Sequence, residues 1–194
     1  GANRRAGVGA PDYVKYMLSR PVKVQPGSKF VYSTADSILA GRMVEKAVGK
    51  RLSEYLYERF FEPLGQGFPI WENCPQGHPI GGGMFMTLSN MLKIGQVYLM
   101  DGKWKGQQLV DPAWIKEATA KQIETPNPGN DIWVCGYGYQ FWRNPYEDSY
   151  RADGAYGQLT MVLPKKGLIV AIQCPESGDL NKVKPVMHEL ILSL

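Results

Sequence analysis

Apolar residues recur at helical spacing through the first two thirds of the chain and at every second position near its end. Spacings of three and four residues indicate helices with one buried face, and alternation indicates strands. Helices are predicted over residues 11–19, 35–48, 52–61 and 183–194, after Thr87, and from Asp111-Pro112 onwards. The helix that starts at Asp111-Pro112 is expected to direct Trp114, Ile115 and Ala118 inward. Residues 1–130 are therefore predicted to be mainly helical.

Residues that begin or end helices support these boundaries. Thr87 is a good N-cap, and Asp111 followed by Pro112 combines a cap with proline at the first helical position. Gly49 stands where a helix end favours a left-handed residue. Residues 65–79 are rich in glycine and proline, and we predict a long irregular loop there.

Alternating segments over residues 137–142, 159–163 and 168–173 predict an antiparallel sheet of about three strands. The last two are joined by Pro164-Lys165-Lys166-Gly167, which favours a hairpin. The C-terminal helix presents an apolar stripe long enough to cover the sheet, formed by Val183, Val186, Met187, Leu190, Ile191 and Leu194. The pattern predicts an α/β fold in the broad sense, more specifically an α+β arrangement in which helices pack on an antiparallel sheet. It is predicted to form one domain over residues 1–194, with the sheet and the last helix over residues 131–194.

Composition argues against several classes of function. The chain is 44% hydrophobic, and its 22 basic and 18 acidic residues are scattered without a basic block, so nucleic acid binding has no support. No stretch approaches the roughly twenty apolar residues of a transmembrane helix. Cys74, Cys135 and Cys174 form no Cys-x-x-Cys pair, and the chain has only two histidines. We therefore expect neither a metal site nor a cofactor.

The segment Pro26–Thr34 carries Tyr32, the residue whose chemistry stands out. The segment opens on a turn dipeptide, residues 30–32 have strand preference, and Ser33 or Thr34 can cap the helix that follows. At such a junction a phenol can face a cleft, and the N–H groups at the helix start favour negative charge. The position suits proton transfer, and it also suits a tyrosine that only packs.

Several stretches resemble one enzyme superfamily. Pro-Gly-x-x-Phe-x-Tyr-Ser-Thr at residues 26–34, Pro-Leu-Gly at 63–65 and Gly-Gly-Gly-x-x-x-Thr-Leu at 81–88 are similar to motifs of serine beta-lactamases and penicillin-binding proteins. Within that superfamily, these stretches look like the branch of class C beta-lactamases, esterases and 6-aminohexanoate-dimer hydrolases. The resemblance implies that Tyr32 moves protons for a serine nucleophile. It also implies a substrate contact at Thr34, which replaces the family's asparagine and offers one donor where an amide offers two.

Residues 150–158 resemble the family's third catalytic element. Many members carry Lys-Thr-Gly or His-x-Gly there, whereas this chain reads Ala152-Asp153-Gly154 and lacks the cation that would pair with a beta-lactam carboxylate. The resemblance implies that substrate lies along these three residues, where strand N–H groups stabilise an oxyanion. The same stretch is also typical of an ordinary loop or bulge. Trp142 can line the pocket or belong to the core, and Gly82 can admit a ligand or lie in a turn.

The family's nucleophile comes from a Ser-x-x-Lys motif, and no serine here has a lysine three positions later. We therefore expect the C-terminal part of a larger serine hydrolase, an incomplete beta-lactamase-like fold that is inactive alone. The resemblance implies that the intact enzyme acts on a small-molecule amide or ester and is periplasmic or secreted. An uncovered sheet edge would favour a homodimer. The alternative is a non-catalytic binding or sensor domain on the same scaffold.

Overall fold

The computed structural model describes residues 12–129, 131–175 and 179–194. The chain divides into two compact units, the first running to Met86 and the second beginning at Thr87. The first unit contains helices α1 (Tyr13–Leu18), α2 (Thr34–Val48) and α3 (Leu52–Leu56), a π-helical turn over Tyr57–Phe61, and strands β1 (Ile70–Asn73) and β2 (Pro79–Phe85). The expectation of a single domain stays a prediction.

The helices of the first unit begin and end much as the sequence predicts. At the start of α1, the Asp12 carboxylate accepts a hydrogen bond of 2.9 Å from the Lys15 N–H group. Gly49 ends α2 with a φ of 71°, which a residue with a side chain adopts reluctantly. The helix predicted over residues 52–61 is confirmed, with its last turn widened to a π-helix. Pro11, where the first predicted helix began, lies outside the described residues.

The irregular loop predicted over residues 65–79 is wrong in part, because β1 forms within it. β1 pairs antiparallel with β2, which places Trp71 opposite Met84. The Trp71 indole N–H also donates a hydrogen bond of 2.9 Å to the Gly82 carbonyl. Only residues 74–78 separate the two strands, but the glycine and proline residues of this stretch favour turns and hide the strands in the sequence.

The second unit contains α4 (Leu88–Leu99), the short strands β3 (Lys103–Trp104) and β4 (Gln107–Gln108), α5 (Pro112–Thr119), β5 (Trp142–Arg143), β6 (Tyr150–Gly154), β7 (Gln158–Leu163), β8 (Leu168–Ile172) and α6 (Leu180–Ser193). Both predicted N-caps are confirmed. The Thr87 hydroxyl accepts from the Asn90 N–H at 3.2 Å, and the Asp111 carboxylate accepts from the Ala113 N–H at 2.8 Å. These bonds satisfy donors that the helix itself leaves open.

Within the described part of the chain, β5 to β8 form a four-stranded antiparallel sheet in sequence order. The hairpin predicted between β7 and β8 is confirmed, with Met161 opposite Val170. On one face of the sheet lies the core cluster of Trp133, Leu159, Met161, Leu163 and, from α6, Met187 and Ile191. On the other face α4 approaches closely at Gly95, where a β-carbon would lie 2.7 Å from Ile169. The predicted mixed fold of helices packed on an antiparallel sheet is confirmed.

The strand predicted over residues 137–142 is wrong for most of its length. The backbone turns there, since the Gly138 N–H donates to the Phe141 carbonyl at 2.7 Å and Gln140 has a φ of 67°. Strand pairing is limited to β5 at Trp142 and Arg143 and to isolated antiparallel bridges of Tyr137 with Ile123 and Trp142. The aromatic residues that suggested alternation instead pack on one another, as in the edge-on contact between the rings of Tyr137 and Trp142.

Two apolar faces are less buried than the sequence predicts. Trp114 is half exposed and stacks on Tyr139, although its neighbours Ile115 and Ala118 are buried as expected. In the C-terminal stripe, Met187 and Ile191 are buried, while Val186, Leu190 and Leu194 are exposed. Only part of the stripe therefore covers the sheet.

Candidate functional site

Tyr32 lies immediately before the residue that caps α2. Its side chain is 54% exposed. Ser33 occupies the N-cap position with an extended backbone, but its side chain makes no capping hydrogen bond, and Thr34 is the first helical residue. Tyr32 therefore lies just before the N-terminal start of a 15-residue helix, whose first N–H groups favour negative charge. This is the loop-to-helix junction that the sequence predicts.

The glycine run in β2 packs against the beginning of this same helix. A β-carbon at Gly81 would lie 3.1 Å from the Ser37 side chain and 3.2 Å from the Thr34 carbonyl, and Gly81 has a φ of 70°. Both the close approach and the backbone conformation favour glycine there. Gly82 is the next residue and is exposed, and its carbonyl accepts the Trp71 indole hydrogen bond. The first unit thus brings Gly81 against Thr34, two residues after Tyr32.

In the second unit, Ala152 and Gly154 are exposed at the end of β6. In the ladder with β7, Ala152 lies opposite Thr160 and Gly154 opposite Gln158. Gly154 has an ordinary φ of −110°, but a β-carbon on it would lie 2.8 Å from the Gln158 side chain. The close strand approach, rather than an unusual backbone, requires glycine here. Gly154 itself therefore adds no side chain to the strand, and the Gln158 side chain lies beside it.

The hairpin tip that joins β6 to β7 contains an unusual residue. Tyr156 has a φ of 63°, a left-handed conformation that is uncommon for a tyrosine, and its side chain is exposed. Gly157 follows with a φ of 84°. Two consecutive left-handed residues match the twist of a tight antiparallel hairpin. The tip therefore reverses the chain directly beside Gly154.

Asp153 points to the opposite face of β6 from Ala152, where it pairs with Arg151. The two charged groups are 3.1 Å apart, and the Arg151 side chain is only 3% exposed. Arg151 also lies 3.0 Å from the Arg143 carbonyl, 3.1 Å from the Trp133 carbonyl and 2.8 Å from the Asn144 side-chain oxygen. The pair therefore ties β6 to neighbouring segments, and a substrate contact of Asp153 stays a prediction.

Sequence reasoning assigned no role to Arg151. The available signal was the pairing of opposite charges two positions apart on one strand, which places both side chains on the same face. Trp142 lies opposite Arg151 in the β5–β6 ladder, and the centre of its ring is 5.7 Å from the guanidinium carbon. Trp142 is therefore a partner of the buried arginine, while its place in a substrate pocket stays a prediction.

Among the residues that the structure describes, no group of histidine, cysteine and carboxylate side chains has the arrangement to hold a metal ion. Cys74, Cys135 and Cys174 are all free thiols. No described helix is long and apolar enough to cross a bilayer.

Comparison with known proteins identifies one family. The family model described as Beta-lactamase matches residues 2–182. The Escherichia coli (strain K12) protein named "Putative D-alanyl-D-alanine carboxypeptidase" is 44% identical over 62 residues, which are 31% of this chain and 14% of that protein. Lovastatin esterase from Penicillium rubens is 36% identical over 64 residues, which are 31% of this chain and 16% of the esterase.

A solved structure shares the fold over most of the chain. The "Putative 6-aminohexanoate-dimer hydrolase from Bacillus anthracis" aligns with a TM-score of 0.77 at 19% identity, covering 93% of this chain and 47% of that one. The chain thus spans less than half of that structure, and its matches span smaller shares of the two curated relatives. Because the family model covers nearly the whole sequence, the protein belongs to the beta-lactamase family.

Proposed function

We propose that this chain carries the tyrosine-bearing part of a serine hydrolase that acts on an amide or ester through an acyl-enzyme. The observation that carries the proposal is the exposed side chain of Tyr32 just before the start of α2, with Gly81 packed against the first turns of that helix. Family membership supports it, and so do relatives whose names denote a carboxypeptidase, an esterase and a dimer hydrolase.

In this mechanism Tyr32 relays the proton that the serine hydroxyl loses on attacking the carbonyl group, and returns it to the leaving group. Gly154 lets the substrate lie along the end of β6, where the Asp153 N–H group, on the side away from β7, donates to the oxyanion that forms as the carbonyl is attacked. Ala152 supplies no cation for a substrate carboxylate. The proposed substrate is therefore a small amide or ester that needs no such pairing, rather than a penicillin.

The serine nucleophile is the part that this sequence does not supply, since it contains no Ser-x-x-Lys. We propose that the chain alone is inactive, because without a nucleophile nothing attacks the carbonyl group and the relay has no proton to move. Thr34 and Ala152 depart from the family's usual residues, and these departures favour a second candidate function, a non-catalytic binding or sensor domain.

A fluorophosphonate probe, which reacts with activated serines, tests these proposals. We would compare the 194-residue chain with the product of the complete reading frame that encodes it. We expect no labelling of the chain and labelling of the complete product at a serine of a Ser-x-x-Lys motif. Tyr32→Phe should slow labelling by about a hundredfold or more, since general acid and base groups contribute roughly 10²–10⁴-fold.

Tyr16→Phe is the matched control, since Tyr16 lies on α1 and contacts Arg20. This change should leave labelling unaltered. Labelling of the 194-residue chain at one of its own serines would overturn the proposed inactivity, and undiminished labelling of Tyr32→Phe would overturn the role of the phenol. A complete product that neither labels nor hydrolyses esters would favour the binding or sensor function.

A further inference from the structure

A cavity of about 1410 Å³ lies in the first unit between α1, α2, the start of α3 and the segment leading into β2. Its volume exceeds that of an ordinary ligand cleft, which is about 300–1,000 Å³, so it has room for a whole small molecule. Tyr13, Ile38 and Met43 are among the apolar side chains of its wall. Tyr32 does not line this cavity, so an argument about its contents is independent of the proposed hydrolase chemistry.

At one end of the cavity, positively charged groups outnumber negatively charged groups around His78. The Nη1 atoms of Arg42 and Arg51 each lie 2.7 Å from Nδ1 of His78. Glu45 is buried, forms an ion pair with Arg42, and has a carboxylate oxygen 3.0 Å from the same Nδ1 atom. Arginine can only donate hydrogen bonds and an ionised carboxylate can only accept them, so these three groups crowd around a single ring nitrogen. Two guanidinium groups therefore face one carboxylate.

The remaining charges that face His78 do not remove this excess. Burial, followed by the two guanidinium groups, lowers the pKa of His78, which keeps its ring uncharged near neutral pH. The other carboxylate oxygen of Glu45 already accepts a hydrogen bond of 3.0 Å from the Leu52 N–H group. Among residues 12–129, negative charge that would balance Arg42 and Arg51 is therefore lacking at this end of the cavity.

Other acidic residues of the lining are held at helix starts. Asp12 accepts from the Lys15 N–H, and Glu54 accepts from the Arg51 N–H at 3.3 Å. The Nε atom of Arg42 is buried and has no hydrogen-bond partner among the described residues. A buried donor without an acceptor is unfavourable, so the Arg42 guanidinium group is only partly satisfied by its neighbours.

We propose that this cavity binds a small organic anion, with its carboxylate or phosphate group against Arg42 and Arg51 and its apolar body along Tyr13, Ile38 and Met43. The charged end supplies charge-assisted hydrogen bonds in a partly dehydrated site, and the apolar wall buries a hydrocarbon chain. Both head groups share this chemistry, so the experiment has to distinguish them.

Calorimetric titration of the 194-residue protein with octanoate, octyl phosphate and neutral octanamide tests the proposal. The three probes share a chain and differ in head group, so the tighter of the two anions identifies the preferred head group. We expect octanamide to bind about tenfold or more weakly than the better anion, as loss of a charge-assisted hydrogen bond predicts. Equal binding of octanamide, or no binding of either anion, would overturn the proposal.

Arg51→Gln should weaken binding of the anions about tenfold or more and leave octanamide unaffected. Lys121→Gln is the control, because Lys121 is a surface residue of the second unit that pairs with Glu124. It should leave all three affinities unchanged. A weakening by Lys121→Gln equal to that by Arg51→Gln would overturn the assignment of the site.

Proton NMR of the wild-type protein gives a readout that does not depend on a variant folding correctly. A bound anion offsets the charge of Arg42 and Arg51, so it should raise the pKa of His78. His188 lies in α6 and contacts the Tyr146 hydroxyl, and its ring proton signals should not respond to octanoate. An unshifted His78 titration at saturating octanoate would contradict the proposed position of the head group.

Discussion

The buried guanidinium group of Arg151 is a polar centre of the second unit, and we predict that lysine cannot replace it. Arg151→Lys keeps the charge but loses the planar fork that reaches Asp153, Asn144 and the carbonyls of Trp133 and Arg143. Buried acceptors left unpaired should lower the free energy of unfolding by about 2–3 kcal/mol. In thermal unfolding this corresponds to a decrease in Tm of roughly 5–10 °C.

Arg59→Lys is the matched control, since Arg59 is exposed on the π-helical turn. A surface change of this kind should alter the free energy of unfolding by about 0.5 kcal/mol or less. Asp153→Asn should give a loss smaller than that of Arg151→Lys, because it removes only one of the arginine's partners. Equal stability of wild type and Arg151→Lys would show that the arginine does not hold these segments together.

At the residue scale, the sequence predicted the structure well where one residue type determines where a helix begins or ends. Gly49, Thr87 and Asp111 have the helix-end roles that their residue types predict, because these roles depend on neighbours within four positions. Tyr32 was selected by resemblance to a motif rather than by local physics. Arg151 was missed because its partners come from separate segments of the chain.

At the scale of elements, Gly95 on α4 should show the cost of filling a close helix-to-sheet contact. Gly95→Ala would place a β-carbon 2.7 Å from Ile169 and 3.1 Å from Thr160, both of which are β-branched and stiff. Overpacking of this kind costs about 1–3 kcal/mol, which outweighs the roughly 1 kcal/mol that alanine gains over glycine in a helix. We expect a lower free energy of unfolding in chemical denaturation.

Gly41→Ala is the control for this prediction, because Gly41 also lies inside a helix, α2. Its β-carbon would lie 3.0 Å from the Leu52 Cδ2 atom, which is the end of a flexible side chain and can move. The helical preference of alanine should then dominate, and stability should stay the same or rise by up to about 1 kcal/mol. A stabilised Gly95→Ala protein would show that α4 does not approach the sheet as closely as described.

Helices were easier to predict than strands for a physical reason. A helix satisfies its own backbone hydrogen bonds, so its sequence carries its period and its ends. β1 is stabilised by pairing with β2, and β5 is reduced to Trp142–Arg143 by a turn at Gly138. Neither feature is visible in alternation alone. The β7–β8 hairpin was predictable because uninterrupted apolar runs flank its short turn, whereas glycine and proline interrupt the β1–β2 hairpin.

At the scale of the whole molecule, the sequence indicates which elements exist better than it indicates how they group. The pattern separated a helical part ending at residue 130 from the sheet that follows. In the structure, α4 belongs to the second unit because Gly95 packs against Thr160 and Ile169 of the sheet. A contact between residues more than sixty positions apart decides that grouping. Recognition of the family did not depend on it, because short motifs carried the resemblance.

We propose that the protein forms a homodimer through β8, which ends the order of strands in the second unit and consists of the apolar residues Leu168–Ile172. An edge strand offers unpaired backbone groups to a second copy, and successive residues point their N–H groups in opposite directions. Of Val170→Pro and Ala171→Pro, the variant that removes the outward N–H should be monomeric and folded in sedimentation equilibrium. The other variant should lose stability, because it breaks a bond to β7. A wild-type protein that is monomeric at every concentration would contradict the dimer, and a dimer that survives both substitutions would place the interface elsewhere.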